Sequence, residues 1–300
     1  MLDGYDFYDE DALVERLSKA LKKRHQETVF LVGAPLSAPV SPGLPGVPDV
    51  GGVISLIRAE FEDDACQLAA LEEALEAAGD KRYQAAFQFL QGRRGQQTAN
   101  EIIRTAVKAA RKPGTDFIGV NFESGSEDAC RLMDSDIDAW TLSPGTESLG
   151  NLVTGYPDRF GKTALTTNFD PLIEVAIRRS KGSFFRTSLH LDGNLSQTEG
   201  TGCHVIHLHG YWHGSDTLHT VSQLGQPRPR LRASLGQLLR HKLVVVCAYS
   251  GWDDAFTEAL MDVVRDDVAS PEVIWTFYAA SPTVNTRLSE MLARELAGGA

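Results

Sequence analysis

Between residues 10 and 24 the apolar positions fall at Leu13, Leu17, Ala20 and Leu21, the spacing of one helix face, and the last turn is basic, which suits the helix dipole. The next segment, TVFLV at 28–32, is continuously apolar or β-branched, as expected of a strand covered on both faces of a parallel sheet. From 51 to about 111 helical spacing returns in four runs, VISLIRAEF, ACQLAALEEALEAA, YQAAFQFL and ANEIIRTAVKAA, with breaks at Gly79-Asp80, across 92–95 and at Pro113-Gly114. Such a block far exceeds an ordinary crossover between strands, so a helical insertion subdomain is predicted at about 51–112.

Beyond it the pattern predicts strands at 163–167, 204–209, 243–248 and 273–278, and helices at 171–179, 253–265 and 282–296. Strands alternating with helices predict an α/β fold: a parallel-sheet, Rossmann-like core with helices on both faces, in a single domain over 1–300.

Composition mainly excludes. With 300 residues, 42% of them hydrophobic, a sizeable core is expected. A net charge of −11 argues against a surface that grips nucleic acid or an anionic membrane, since both demand clustered Lys and Arg. The one basic cluster, Arg228, Arg230, Arg232, Arg240, His241 and Lys242, reads as a solvated face, with contact to a nucleotide phosphate or a partner chain as the alternative. Cys66, Cys130, Cys203 and Cys247 form no C-x-x-C pair, which argues against a disulfide framework or a thiolate zinc site and for a reducing compartment. The acidic start MLDGYDFYDEDA is not a signal peptide and no run approaches 18 apolar residues, so a soluble, cytoplasmic protein is predicted.

Candidate chemistry gathers at the predicted strand ends. Ligands of open parallel sheets bind outside the carboxyl ends of the strands, and four of those ends are polar: GAPLS at 33–37, TTNFD at 166–170, HLHG at 207–210 and AYSGWDD at 248–254. A strand handing into a small-residue Gly/Pro loop, as at 28–50, is one way to present backbone N–H groups to a phosphate, although Gly and Pro also punctuate plain turns. Asn168 or Asp170 could equally cap a helix beginning at Pro171. The set Cys203, His204, His207, His209 and His213 raises a metal site, but in an extended strand His204 points away from His207 and His209, so no metal is expected.

The order GAPLS…GVPD, TTNFD, HLHG and a late apolar strand ending in a small-residue turn resembles the sirtuin fold, and more closely the zinc-less SIR2-like domains of bacterial anti-phage defence proteins, which hydrolyse NAD. The resemblance implies that Gly33, Ala34 and Ser37 clasp the NAD pyrophosphate, with Asp49 in the loop that closes over it. Pro35 stands where that family usually has a second glycine and removes one backbone donor. From TxNxD the resemblance implies Thr167, Asn168 and Asp170 at the ribose, with Asn168 holding a water or ribose hydroxyl, and from HG it implies His209 as general base. At the last strand end Tyr249 or Ser250 could meet the adenosine half and Asp253 a ribose hydroxyl, or Asp253 could equally complement the dipole of the helix it opens with no ligand, while Trp252 packs in the core.

The function so implied is NAD+ hydrolysis to nicotinamide and ADP-ribose by the NAD-depleting effector of an abortive-infection system, with NAD+ as substrate. Such an effector is expected to be held off by its oligomeric state, as a homo-oligomer, or by a sensor domain or partner chain. The chain is further expected to be the N-terminal effector part of a longer polypeptide. Two alternatives stand: a module that senses NAD or a nucleotide without turnover, and a zinc-less NAD-dependent protein deacylase. A dehydrogenase is disfavoured because the first loop lacks G-x-G-x-x-G.

Overall fold

A computed structural model describes residues 8–22, 27–115, 126–195, 200–249, 251, 254–266, 268–269 and 271–276. Helix α1 (Glu10–Lys22) leads into β1 (Thr28–Val32). The helical block follows as α2 (Val50–Ala59), α3 (Ala65–Ala77) and α4 (Arg82–Lys108). Then come α5 (Glu127–Ser135), α6 (Pro144–Gly155), α7 (Pro157–Phe160), β2 (Thr163–Thr166), α8 (Leu172–Arg179), β3 (Phe184–Ser188) and β4 (Cys203–His207). The described chain closes with α9 (Val221–Leu224), α10 (Pro229–Leu239), β5 (Leu243–Cys247), α11 (Ala255–Arg265) and β6 (Glu272–Trp275).

All strand pairs are parallel, in the order β3-β4-β2-β1-β5-β6. The α/β, Rossmann-like class expected from the alternation is the class observed. Strand pleating sorts the continuous apolar runs onto two faces. Val29, Leu31, Leu165, Val244 and Val246 pack against Leu231, Leu235 and Leu239 of α10 and Phe256, Leu260 and Val263 of α11. On the other face Phe30, Val32, Ala164, Val205 and Val245 pack against α6, α7 and α8 through Leu149, Val153, Phe160, Ile173 and Ile177. Helix α8 is apolar on two sides, because Leu172, Val175 and Ala176 join the core of the helical block together with Trp140, Tyr211 and Trp212. The block thus shares its core with the turn after β4.

Several details depart from expectation. The last two helical runs of the block are the arms of α4 about a kink at Gly95, whose φ of 85° is non-helical. Strand β3 was not predicted, since FFRTS is an edge strand half-buried at every position. Helices α5, α6 and α7 were also not predicted; α6 carries the usual start signals, with Ser143 capping the Thr146 N–H and Pro144 in its first turn. The predicted helix at 282–296 and the end of the predicted strand at 277–278 lie outside the described residues. Among the described residues no helix is long and apolar enough to cross a membrane.

Candidate functional site

Four strand ends stop at one level. Val32 pairs with Thr166 and with Cys247, and Thr166 pairs with His207, so the residues that follow leave the sheet along one carboxyl-terminal edge. The connection from β1 runs toward β2 while that from β4 crosses to β5, which makes the β1/β5 boundary the topological switch point, where ligands of such sheets bind. Gly33 sits at that boundary, where a Cβ would stand 2.1 Å from the Ala248 carbonyl oxygen, so only glycine fits. Residues Ala34–Leu36 form a single 3₁₀ turn in which the N–H groups of Leu36, Ser37 and Ala38 donate to the carbonyls of Gly33, Ala34 and Pro35. With Pro35 lacking an N–H, this loop offers an anion fewer backbone donors than the resemblance implies.

Asn168 is buried, and its carboxamide is fixed by two contacts of Nδ2: one to the Gly33 carbonyl at 3.1 Å and one to Ser37 Oγ at 2.9 Å. Its backbone N–H donates to Thr166 Oγ1, and its carbonyl lies 2.7 Å from His207 Nδ1. Both amide hydrogens are therefore engaged, which leaves Oδ1 as the acceptor this side chain can offer to a hydroxyl or a water. Neither Asn168 nor Asp170 is the N-cap of α8, which is Pro171, although Asp170 Oδ1 accepts from the Leu172 N–H at the helix start. Burial pushes the Asp170 carboxyl above its ordinary range, opposed by a hydrogen bond from Ser37, so Ser37 links Asn168 to Asp170. Thr167, in the bend just past β2, donates its N–H to the Val32 carbonyl.

His209 is almost fully buried, with Nε2 3.0 Å from Asp254 Oδ2. Gly210 after it has φ 96°, and a Cβ there would meet the Asp216 carbonyl at 2.2 Å. The Tyr249 hydroxyl donates to the same Asp254 oxygen at 2.8 Å, while its ring stacks on Trp275. Arg228 is buried too, donating to the carbonyls of Leu208 and Gln223, and burial lowers its guanidinium pKa. The solvated-face reading is therefore corrected for Arg228: it lines a narrow crevice with His209 and Asp254. Arg232 and Arg240 behave as expected of surface charges, pairing with Glu258, Asp262 and Asp266.

The remaining histidines have separate partners. His204 meets Thr187 Oγ1 at 2.7 Å and stacks on Phe185, and burial lowers it to about 4. His207 Nε2 lies 3.0 Å from Glu174 Oε1, an oxygen that also accepts from Arg186. Arg186 in turn pairs with Asp134, beside which stand Tyr211 and His213. A cleft of about 160 Å³ opens beside Glu174, Arg186 and Asp134, between the end of α5, α8 and β3. His219, wholly buried, stacks on Phe87 of α4 at 3.7 Å and bonds Thr217 and Tyr83, and burial holds it well below its ordinary range. Among the described residues no three His, Cys, Asp or Glu side chains are grouped so as to hold a metal.

The structure thus brings together Gly33, Ser37, Asn168 and Asp170 as one cluster, and His209 and Tyr249 around Asp254 as another. Ala34 is exposed on the turn. Asp49 is exposed and caps α2 through the Gly52 N–H. Ser250, Trp252 and Asp253 lie outside the described residues. Asp254 and Glu174 were not singled out as site residues, Arg228 was raised only as an alternative phosphate contact and His207 only within the disfavoured metal set, although Asp254 carries the signal of an acidic cap at a helix start.

Residues 162–297 match a family model described as a SIR2-like domain. That stretch holds TTNFD, HLHG and β5, and leaves the first loop outside. The match is a likeness of this stretch, just under half of the chain, to SIR2-like domains, which supports an NAD-related reading. No curated protein matches it.

Proposed function

We propose that the chain is an NAD+ hydrolase that cleaves the nicotinamide–ribose bond. The observation that carries this reading is the locked Asn168 carboxamide, one strand away from His209. Asn168 Oδ1 is suited to accept from a ribose hydroxyl or from the attacking water, at no cost of a buried charge. His209 takes the proton of that water as oxygen bonds to the anomeric carbon. Nicotinamide departs with the C–N bonding pair, which neutralises its pyridinium nitrogen, so no acid need protonate the leaving group. The products are nicotinamide, ADP-ribose and one proton. With the leaving group already activated, the protein's contribution is positioning and exclusion of bulk water, for which buried polar groups on rigid strand ends are suited.

The narrow crevice at His209 supports an off state, and we place the chain as a regulated NAD-depleting effector of anti-phage defence, opened by assembly or by a partner. The second reading, a module that binds NAD without turnover, is favoured by the engaged N–H groups of the 33–38 turn. The test is nicotinamide release across a range of protein concentrations, with Asn168→Ala and His209→Ala in parallel. We expect release that rises per chain with concentration and falls by roughly 10²-fold or more in each variant. NAD-induced thermal stabilisation with no release at any concentration would favour the binding module.

A further inference from the structure

The Asp254 carboxylate is saturated. Its Oδ1 accepts from the backbone N–H groups of Phe256 at 3.1 Å and Thr257 at 3.0 Å, capping α11, and its Oδ2 faces His209 Nε2 at 3.0 Å and the Tyr249 hydroxyl at 2.8 Å. The whole group is buried in the described structure, at 3% exposure. Burial alone would raise its pKa, yet the bonds from His209, Thr257 and Tyr249 outweigh it and hold the carboxyl below its ordinary value. An ionised carboxylate only accepts hydrogen bonds. Whenever the imidazole beside it is neutral, it must therefore carry its proton on Nε2, which puts the lone pair on Nδ1.

We infer that Asp254, supported by Tyr249, is the positioning residue that fixes the tautomer of His209, so that Nδ1 is the atom that takes the proton in the proposed hydrolysis. Rotation of the carboxylate is prevented by the helix cap: two backbone donors demand an oxygen at the Oδ1 site. This makes Asp254→Asn a one-atom change of known sense. The cap keeps the amide oxygen, as asparagine caps helices about as well as aspartate, and the amide NH₂ is forced toward His209. There it donates to Nε2 and drives the ring proton to Nδ1.

The inference rests on the hydrolase reading for its catalytic half only, and ¹⁵N NMR of histidine-labelled protein, with His209 assigned by the His209→Gln variant and read where the ring is neutral, tests the other half without substrate. We expect a protonated, pyrrole-type Nε2 in the wild type and a protonated Nδ1 in Asp254→Asn, with the two proteins melting within a few degrees of each other. Nicotinamide release should fall by roughly 10²- to 10⁴-fold in kcat with KM little changed, the size of a wrong-tautomer effect in a histidine–aspartate pair. Tyr249→Phe should keep the wild-type tautomer and lose far less. A wild-type ring protonated on Nδ1, or an unchanged tautomer in Asp254→Asn, would overturn the inference; so would a flipped tautomer with undiminished turnover. If the wild type releases no nicotinamide, the hydrolase reading fails while the tautomer assignment still stands or falls on the spectra.

Discussion

Gly33 shows how a residue expected for ligand binding can be fixed first by its neighbours. Its φ of −121° is open to any residue, so conformational freedom is not the reason for glycine here. The reason is the 2.1 Å that would separate a Cβ from the Ala248 oxygen, a backbone atom that cannot step aside. Gly33→Ala is expected to cost about 1–3 kcal/mol, as overpacking does, and to lower nicotinamide release by displacing the carbonyl that holds Asn168. Thermal melts check the first effect and a release assay the second. A melting temperature equal to that of the wild type would show that the two strand ends separate easily. Asn168 and His209 were legible from their motifs, and a polar residue at a strand end of a parallel sheet is itself informative. Their supports were not. Asp254 is one residue beyond the predicted Asp253, and which of two adjacent aspartates caps a helix is decided by backbone angles. His207 and Glu174 are 33 positions apart and meet only because α8 folds back over the sheet edge.

At the level of elements, the junction of α5, α8 and β3 is held by charge. Asp134 at the end of α5 accepts from Tyr211 and pairs with Arg186 of β3, which also holds Glu174 of α8. Burial raises the Asp134 pKa, but His213, Arg186 and Tyr211 together bring it down to about 2, below the ordinary 3.8. A carboxyl lowered on folding contributes stability that is complete above the unfolded value and is lost as the pH falls through the folded one. For Asp134 this is about 2 kcal/mol, present above roughly pH 4 and lost toward pH 2. Denaturant melts of the wild type and Asp134→Asn at pH 7 and pH 2 should show a stability gap at neutral pH that narrows in acid; a gap of constant size would mean that the ion pairs contribute nothing. The same junction marks where periodicity stopped being readable. Core strands β1 and β5 are continuous apolar or β-branched runs and β2 and β4 are shorter buried runs with polar members, and all four were expected, whereas β3 is a sheet edge whose Arg186 points into a buried ion network. Two phenylalanines followed by three polar residues give it neither an apolar run nor an alternation to read. The break at 92–95 was legible because Gly95 has a positive φ that helical geometry cannot use.

On the scale of the whole molecule, the helical block is tied to the sheet edge by more than apolar packing. Asn100 of α4 bonds the side chain of Asp216 and both the backbone and the hydroxyl of Thr217, Gln96 reaches the Thr217 carbonyl, and Tyr83 reaches His219. The loop that follows His209-Gly210 is thereby clamped to a block that lies outside the SIR2-like match. Strand β1 is outside the match as well, although it pairs with β2 on one side and β5 on the other. A protein trimmed to 162–297 would lack the middle of its own sheet. Neighbouring strands lie about 4.8 Å apart, so β2 and β5 would be left facing each other across a gap of roughly twice that distance, each with a bare ladder of N–H and C=O groups. Such a fragment is expected to aggregate on expression, and a soluble, cooperatively melting product would show that the sheet can close without β1. The recognisable half of this chain is therefore not a module that could be lent to another protein: its two halves interleave at the centre of one sheet, and an insertion, fusion or cut placed at the edge of the similarity would fall between strands that need each other.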